Sequence, residues 1–332
     1  MDIVTQGLVG ATLAQALAPE RHHRRATLIG LGAGGLPDAD ALIAGAADPL
    51  LQLEFHRHFS HALAFIPFGA AVATLLLWPF LRNAIPLQRI YRYALCGYAP
   101  GGLLDACTSY GTHLFWPFSA NPVAWSLIAI VDPVFTLALA LPLGIGLYRR
   151  RRARLGLALA LAYLALGLVQ HQRAETAATD LALQRGHDPE YVLVKPTVGN
   201  IVLWRAIYTV EDSIWVDAVR VGTNERIYPG THRTLFVPDR DMRWAAAGSR
   251  ARRDADRFVA AASGFAVSYS GQAQRLGDAR YAMLPTEIAP LWGIEFDSTA
   301  TAAAPRFITT REMTPATRSQ FLTMLLGRDL DH

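Results

Sequence analysis

Charge is what this chain has least of. Only 17% of its 332 residues are Asp, Glu, Lys or Arg, whereas 52% are apolar, and the mean hydropathy is positive at +0.21. A soluble enzyme carries more charge, so the composition points to a membrane protein or to half of one. Cysteine is scarce too. Cys96 and Cys107 both lie in apolar surroundings, which excludes a disulfide framework and a zinc ribbon. The net charge of +4 is small and the arginines are clustered, a pattern that suits membrane topology and not a nucleic-acid-binding face. No repeat of fixed period is visible. The order of a signal peptide is also missing: Asp2 precedes the first apolar run, and Arg21, Arg24 and Arg25 follow it. That run is therefore expected to stay as a short helix over 4–18, with Gly7, Gly10, Ala11 and Ala14 as a small-residue packing face.

What the chain has is apolar length, followed by a change of character. The stretch 62–81 provides the roughly twenty residues that a bilayer core requires. Further apolar stretches run over 26–36, 93–107, 122–148 and 155–169. The second is broken by Pro100, Gly101 and Gly102, and Pro133 predicts a kink within the third. After Gln170, β-branched and aromatic residues predict short strands over 192–194, 201–208, 214–221, 281–284 and 291–296. Helices are expected over 252–262 and 315–326, the latter with Thr314 as cap and Pro315 in its first turn. The expected fold is mainly α: a multi-helix membrane domain over 1–170, followed by a smaller soluble α+β domain over 171–332.

Arginine sets the expected topology. Clusters at 21–25, 82–92 and 149–154 belong on the cytoplasmic side. The segments between them then cross out and back, which places 38–61 and the lysine- and arginine-free stretch 105–119 at the outer face. The last apolar run carries the C-terminal domain to that same outer side.

Two polar islands stand out in this apolar frame, and ionisable groups there are functional suspects. The first holds Asp38, Asp40, His56, Arg57, His58 and His61; the second holds Asp105. Taken alone, Asp38 and Asp40 read more plainly as a helix cap after Pro37. On a helix, His58 and His61 would share a face, as would His56 and Ser60. Three histidines beside an arginine favour metal ligation or phosphate binding. Arg57 reads equally well as a clamp on an anionic oxygen and as a headgroup anchor. Asp105 needs a partner or a metal in its apolar setting. Asp132 is balanced between a role in a relay and a bond to backbone freed by Pro133. Tyr110, Phe115, Trp116 and Phe118 read as an interfacial aromatic belt.

These residues resemble a known family, the membrane-bound metal-dependent hydrolases, whose best-known bacterial members are LexA-regulated inner-membrane proteins. The resemblance covers about 1–147, in order. Met1-Asp2-Ile3-Val4-Thr5 is similar to the family's MDxxTH, and Leu36-Pro37-Asp38-Ala39-Asp40 to its LPDxD. His56-Arg57-His58-Phe59-Ser60-His61 is similar to HRxx(S/T)H. The segment from Leu103-Leu104-Asp105 through Tyr110-Gly111-Thr112 to Pro117-Phe118-Ser119 resembles LLDxxTxYGTxLxxPFS, and Val131-Asp132-Pro133 resembles (I/V)DP. A more distant similarity to zinc phospholipase C and single-strand nucleases implies a helical metal site and phosphoester cleavage.

The resemblance implies a divalent metal, zinc first, held by Asp38, His56, His61 and Asp105. Asp40 would act as base and Arg57 would face the developing anion. The implied partners are the membrane lipid bilayer and a small-molecule or lipid substrate. Two positions depart from the pattern. Gln6 stands where the family has a histidine, and Gly101 replaces the histidine four residues before Asp105. His58 and His113 are extra imidazoles that would compensate. The rival expectation is a metal-free member acting as a membrane binding or scaffold protein, with a transporter third.

Overall fold

Asp2 starts the first helix. Its carboxylate accepts from the Thr5 backbone N–H at 3.0 Å and caps α1, Ile3–Leu17. A short 3-10 turn reverses the chain into α2, His23–Gly34. The computed structural model describes residues 1–43, 48–145 and 149–330. Its contacts divide the chain into two units. The first comprises Met1–Ile43, Phe55–Val169 and Val198–Ile201; the second comprises Ala44–Glu54, Gln170–Thr197 and Val202–His332.

After α3, Leu50–Phe55, the first unit continues through α4, Ile66–Leu81, α5, Leu87–Tyr98, and α6, Pro100–Ala106. It ends with α7, Pro133–Ile145, and the first part of α8, Arg150–Gln184. The helices meet through glycine. A Cβ on Gly10 would lie 2.5 Å from the Gly30 carbonyl oxygen and 2.7 Å from that of Gly97. Hydrogen in place of a side chain therefore lets α1, α2 and α5 touch backbone to backbone, the close approach that small residues allow in apolar surroundings.

Two stretches among the described residues are long and apolar enough to cross a membrane: Leu63–Leu81 and Arg150–Gln184. On α4, Phe68, Leu75, Leu76 and Phe80 are exposed, an apolar surface of the kind that marks a membrane or partner contact. The apolar run 155–169 is thus the middle of a 35-residue helix and not a short span of its own. Pro133 does not kink a helix running from 122. Residues 122–132 are irregular, and Pro133 is the first helical residue, where its missing N–H costs nothing. Asp132 caps that start: it accepts from Val134 N and Phe135 N, both at 3.1 Å, and from the Tyr163 hydroxyl at 2.9 Å.

The second unit is built on two four-stranded antiparallel meanders. One joins β1, Tyr191–Pro196, β2, Leu203–Val210, β3, Ser213–Val221, and β4, Glu225–Thr234. After the short α9, Pro238–Asp241, and α10, Arg250–Ala261, the other joins β5, Ala266–Tyr269, β6, Gln272–Asp278, β7, Trp292–Glu295, and β8, Arg306–Thr309. The chain closes with α11, Pro315–Leu326, capped by Thr314. Ile207 and Val216 of the first sheet share a core with Phe265, Val267 and Ile288.

The stretch 281–284 is not a strand. Carbonyls on either side of it are taken by buried cations: Lys195 Nζ donates to Arg280 O at 2.9 Å, and Arg205 donates to Ala279, Leu284 and Pro285 O. Lys195 and Arg205 are cross-strand partners in the β1–β2 register, and Lys195 Nζ also lies 3.4 Å from the Tyr281 ring centroid.

Candidate metal centre

Four segments supply the site. Where α2 stops, Leu36-Pro37 turns the chain into a 3-10 stretch, Pro37–Ile43, that holds Asp38 and Asp40. His61 ends a second 3-10 turn, Phe59–His61. Asp105 sits in the last turn of α6, and Gln6 in the first turns of α1. Gly102 brings α6 in: a Cβ there would lie 2.0 Å from the His61 carbonyl oxygen, so only glycine permits the contact.

One donor atom each from Asp38, His61 and Asp105 lies within 4.8 Å of the others. His61 Nε2 is 2.9 Å from Asp105 Oδ2 and 3.3 Å from Asp38 Oδ1. Both contacts fall off the N–H axis, and this buried nitrogen has no well-formed hydrogen bond. His61 and Asp105 side chains are wholly buried, whereas Asp38 is 14% exposed, so the cluster opens only at Asp38. An imidazole and two carboxylates converging on one point, with one open side, form a donor set suited to a divalent ion such as zinc or manganese.

Asp40 stands behind His61. Its Oδ2 lies 3.2 Å from His61 Nδ1, the other ring nitrogen, and accepts from Ser60 Oγ at 2.5 Å and Arg57 N at 2.9 Å. Its Oδ1 meets His56 Nδ1 at 2.9 Å. Burial would raise this carboxyl, but hydrogen bonds from His56, His61 and Ser60 outweigh it and hold Asp40 well below the usual carboxylate range. For His61, burial lowers the imidazole; its neighbours Asp105, Asp38 and Asp40 reverse this and push it up to about 10.

The expected residues thus separate by position. Asp38, His61 and Asp105 come together. His56 points instead to Asp40, with its ring centroid 6.3 Å from that of His61. Helical spacing does not govern this stretch, because α3 stops at Phe55 and Arg57 takes a left-handed φ of 62°. Arg57 Nη2 lies 3.3 Å from Asp105 Oδ1, its Nη1 donates to Thr108 Oγ1 at 2.9 Å, and its buried Nε has no partner among the described residues. The Met1 amino group also reaches Asp105. His58 and His113 pack against each other with their rings tilted by 48° and 4.5 Å between centroids, beside Trp116, and neither belongs to the ligand cluster.

Gln6 occupies the middle of the cluster. Its Nε2 donates to Asp105 Oδ2 at 2.9 Å and to Asp38 Oδ1 at 3.4 Å, while its buried Oε1 has no partner among the described residues. Gly101 faces it: a Cβ there would lie 3.6 Å from Gln6 Oε1. The sequence reading missed Tyr98, whose hydroxyl donates to Ser60 O at 2.7 Å and steadies the turn before His61. Nothing in its amphipathic helix signals that bond. No curated protein and no solved structure matches the chain. A family model does, over residues 1–174, and by that match the chain belongs to the YdjM inner membrane protein family.

Proposed function

We propose that this inner-membrane family member is a metal-dependent hydrolase that acts on phosphoester or other ester bonds at the outer membrane–water interface. The convergence of Asp38, His61 and Asp105, from three separate segments, on one point carries the proposal. A divalent ion held by these residues, zinc first, supplies a water nucleophile at neutral pH and polarises the scissile ester. The remaining roles belong to the chain. Asp40 orients the His61 ring and fixes which nitrogen faces the cluster, as carboxylates behind metal-binding histidines do. Its own oxygens are filled by four donors, so this reading makes it an orienting group and not the base. Arg57 neutralises Asp105 and offers its unpartnered Nε to a developing anion. His56 holds Asp40 in place.

A second reading has an observation of its own. The Gln6 amide, the Arg57 guanidinium and the Met1 amino group together satisfy the carboxylates of Asp38 and Asp105. That network supports a metal-free binding or scaffold protein. Elemental analysis of detergent-purified protein, with hydrolysis of a chromogenic phosphodiester and ester, separates the two. The hydrolase reading expects bound divalent metal that falls in His61→Ala, and turnover that falls with it. A wild-type protein without metal, even after reconstitution, supports the scaffold.

A further inference from the structure

Beside the cluster, at the start of α1 and the end of α2, lies an open groove of about 620 Å³. Its walls are apolar, chiefly Ile3, Val4, Leu31, Leu36 and Leu42. Several of these side chains face outward: Leu42 is 85% exposed and Val4 60%. Water is a poor solvent for such a surface, and an inner-membrane protein has acyl chains at hand to cover it. Among the described residues, Asp38 is the one ionisable group lining the groove, and it is the member of the ligand cluster that is not wholly buried. The groove and the cluster therefore meet at a single residue, where the cluster opens. Glycine keeps the groove clear. A Cβ on Gly32 meets nothing within 4 Å, so the space beside it is not filled by the protein's own packing.

We infer that the groove takes the acyl chain of a membrane lipid, laid along the α1–α2 wall so that the ester or phosphoester linkage at its polar end lies at Asp38. This deepens the hydrolase reading by naming the substrate class, and it rests on that reading for the chemistry at the linkage. The groove selects for a chain and not for a headgroup. Among the described residues no cation lines it, so recognition comes from buried methylene area, while the polar end is handled at the cluster.

The test uses the full-length protein in vesicles of phosphatidylethanolamine and phosphatidylglycerol, doped with a phosphatidylglycerol that carries a diazirine on its acyl chain. After illumination, adducts are mapped by mass spectrometry. Expected are adducts concentrated at Ile3, Val4, Leu31 and Leu42, above those on the exposed α4 residues Phe68 and Phe80. Gly32→Phe should lower the groove adducts about tenfold, the affinity carried by two buried methylenes, and leave the α4 adducts unchanged. Gly32→Ala should behave as wild type. If Gly32→Phe does not accumulate, Leu42→Asp on the exposed rim provides the same loss. Adducts spread evenly over groove and α4, and unmoved by these variants, would overturn the assignment. Zinc content of the same samples reads the other claim. A labelled groove without metal removes the hydrolase reading and keeps the lipid site, whereas metal with evenly spread label removes only the lipid site.

Discussion

Asp40 lies 3.2 Å from Nδ1 of His61, the ring nitrogen that does not face Asp38 and Asp105. The pair fixes the direction in which His61 presents its other nitrogen. Replacing Asp40 by Asn keeps the shape and removes the charge. We expect Asp40→Asn to weaken metal binding about 10- to 100-fold, the usual cost of losing such a carboxylate. Competition against a zinc chelator measures this, and an unchanged affinity would mean that His61 is oriented by its burial alone.

The departures at Gln6 and Gly101 give a gain-of-binding prediction. Pro100 is the first residue of α6, so position 101 lies one turn before Asp105 on the same helix, and a side chain there starts 3.6 Å from Gln6 Oε1. Gln6→His with Gly101→His should bind zinc more tightly than wild type, and the gain should vanish in Asp105→Ala. Pro37 Cγ, 3.3 Å from the new Cβ, must yield slightly. The loss of helical glycine offsets this by about a few tenths of a kcal/mol, the propensity difference between glycine and histidine. Chelator titration of the four proteins decides the matter. Equal affinity in wild type and double variant would show that Gln6 already serves as well as an imidazole.

Membrane orientation rests on the arginines at 21–25, 82–92 and 149–154. A reporter active only in the periplasm should work when fused after His332 and fail when fused after Arg151. The opposite pattern would put Asp38 and Asp105 on the cytoplasmic side and change which lipids they meet.

Lys195 makes the stability of the β-sheet unit depend on pH. Burial, with Arg205 opposite, drives its ammonium pKa well below 10.5, because desolvation and a neighbouring cation both disfavour the charge. Between the folded value and 10.5 the unfolded chain binds the extra proton, so stability rises with pH across that window, by up to about 1.4 kcal/mol per unit. Lys195→Met should remove that slope and raise the melting temperature at neutral pH, since an apolar residue avoids the desolvation cost. Differential scanning fluorimetry of the full chain reads both. A lower melting temperature at every pH would show that the Lys195 bond to Arg280 O outweighs the burial of its charge.

The helical frame and the β-rich half were legible because both rest on local pattern. Thr314-Pro315 marks the start of α11, and alternating aromatic and β-branched residues mark β2 and β3. Strands β4, β5, β6 and β8 escaped notice: β4 contains Pro229 and Gly230, β6 is mostly polar, and β5 and β8 are only four residues each, so none shows a buried face in sequence. Within the site, the identity of the ionisable residues was readable, but the division of labour between His56 and His61 was not. It depends on the left-handed backbone at Arg57, which breaks the helical spacing from which a shared face was inferred. Asp132 shows the same limit. Its place before Pro133 suits a cap as well as a relay, and only the bonds from Val134 and Phe135 choose between them.

The glycine contact among α1, α2 and α5 has a mechanical consequence. Those helices lead to Gln6, to the turn with Asp38 and to α6 with Asp105, and at Gly10, Gly30 and Gly97 their spacing is set by main-chain atoms and the rotamer-free methyl groups of Ala14 and Ala33. Side chains can adopt another rotamer under load; a carbonyl resting on an α-carbon cannot. The cluster is therefore gauged from four to eight residues away by a stop without play. A single methyl group at position 10 would act as a shim, separating the donors without touching any of them.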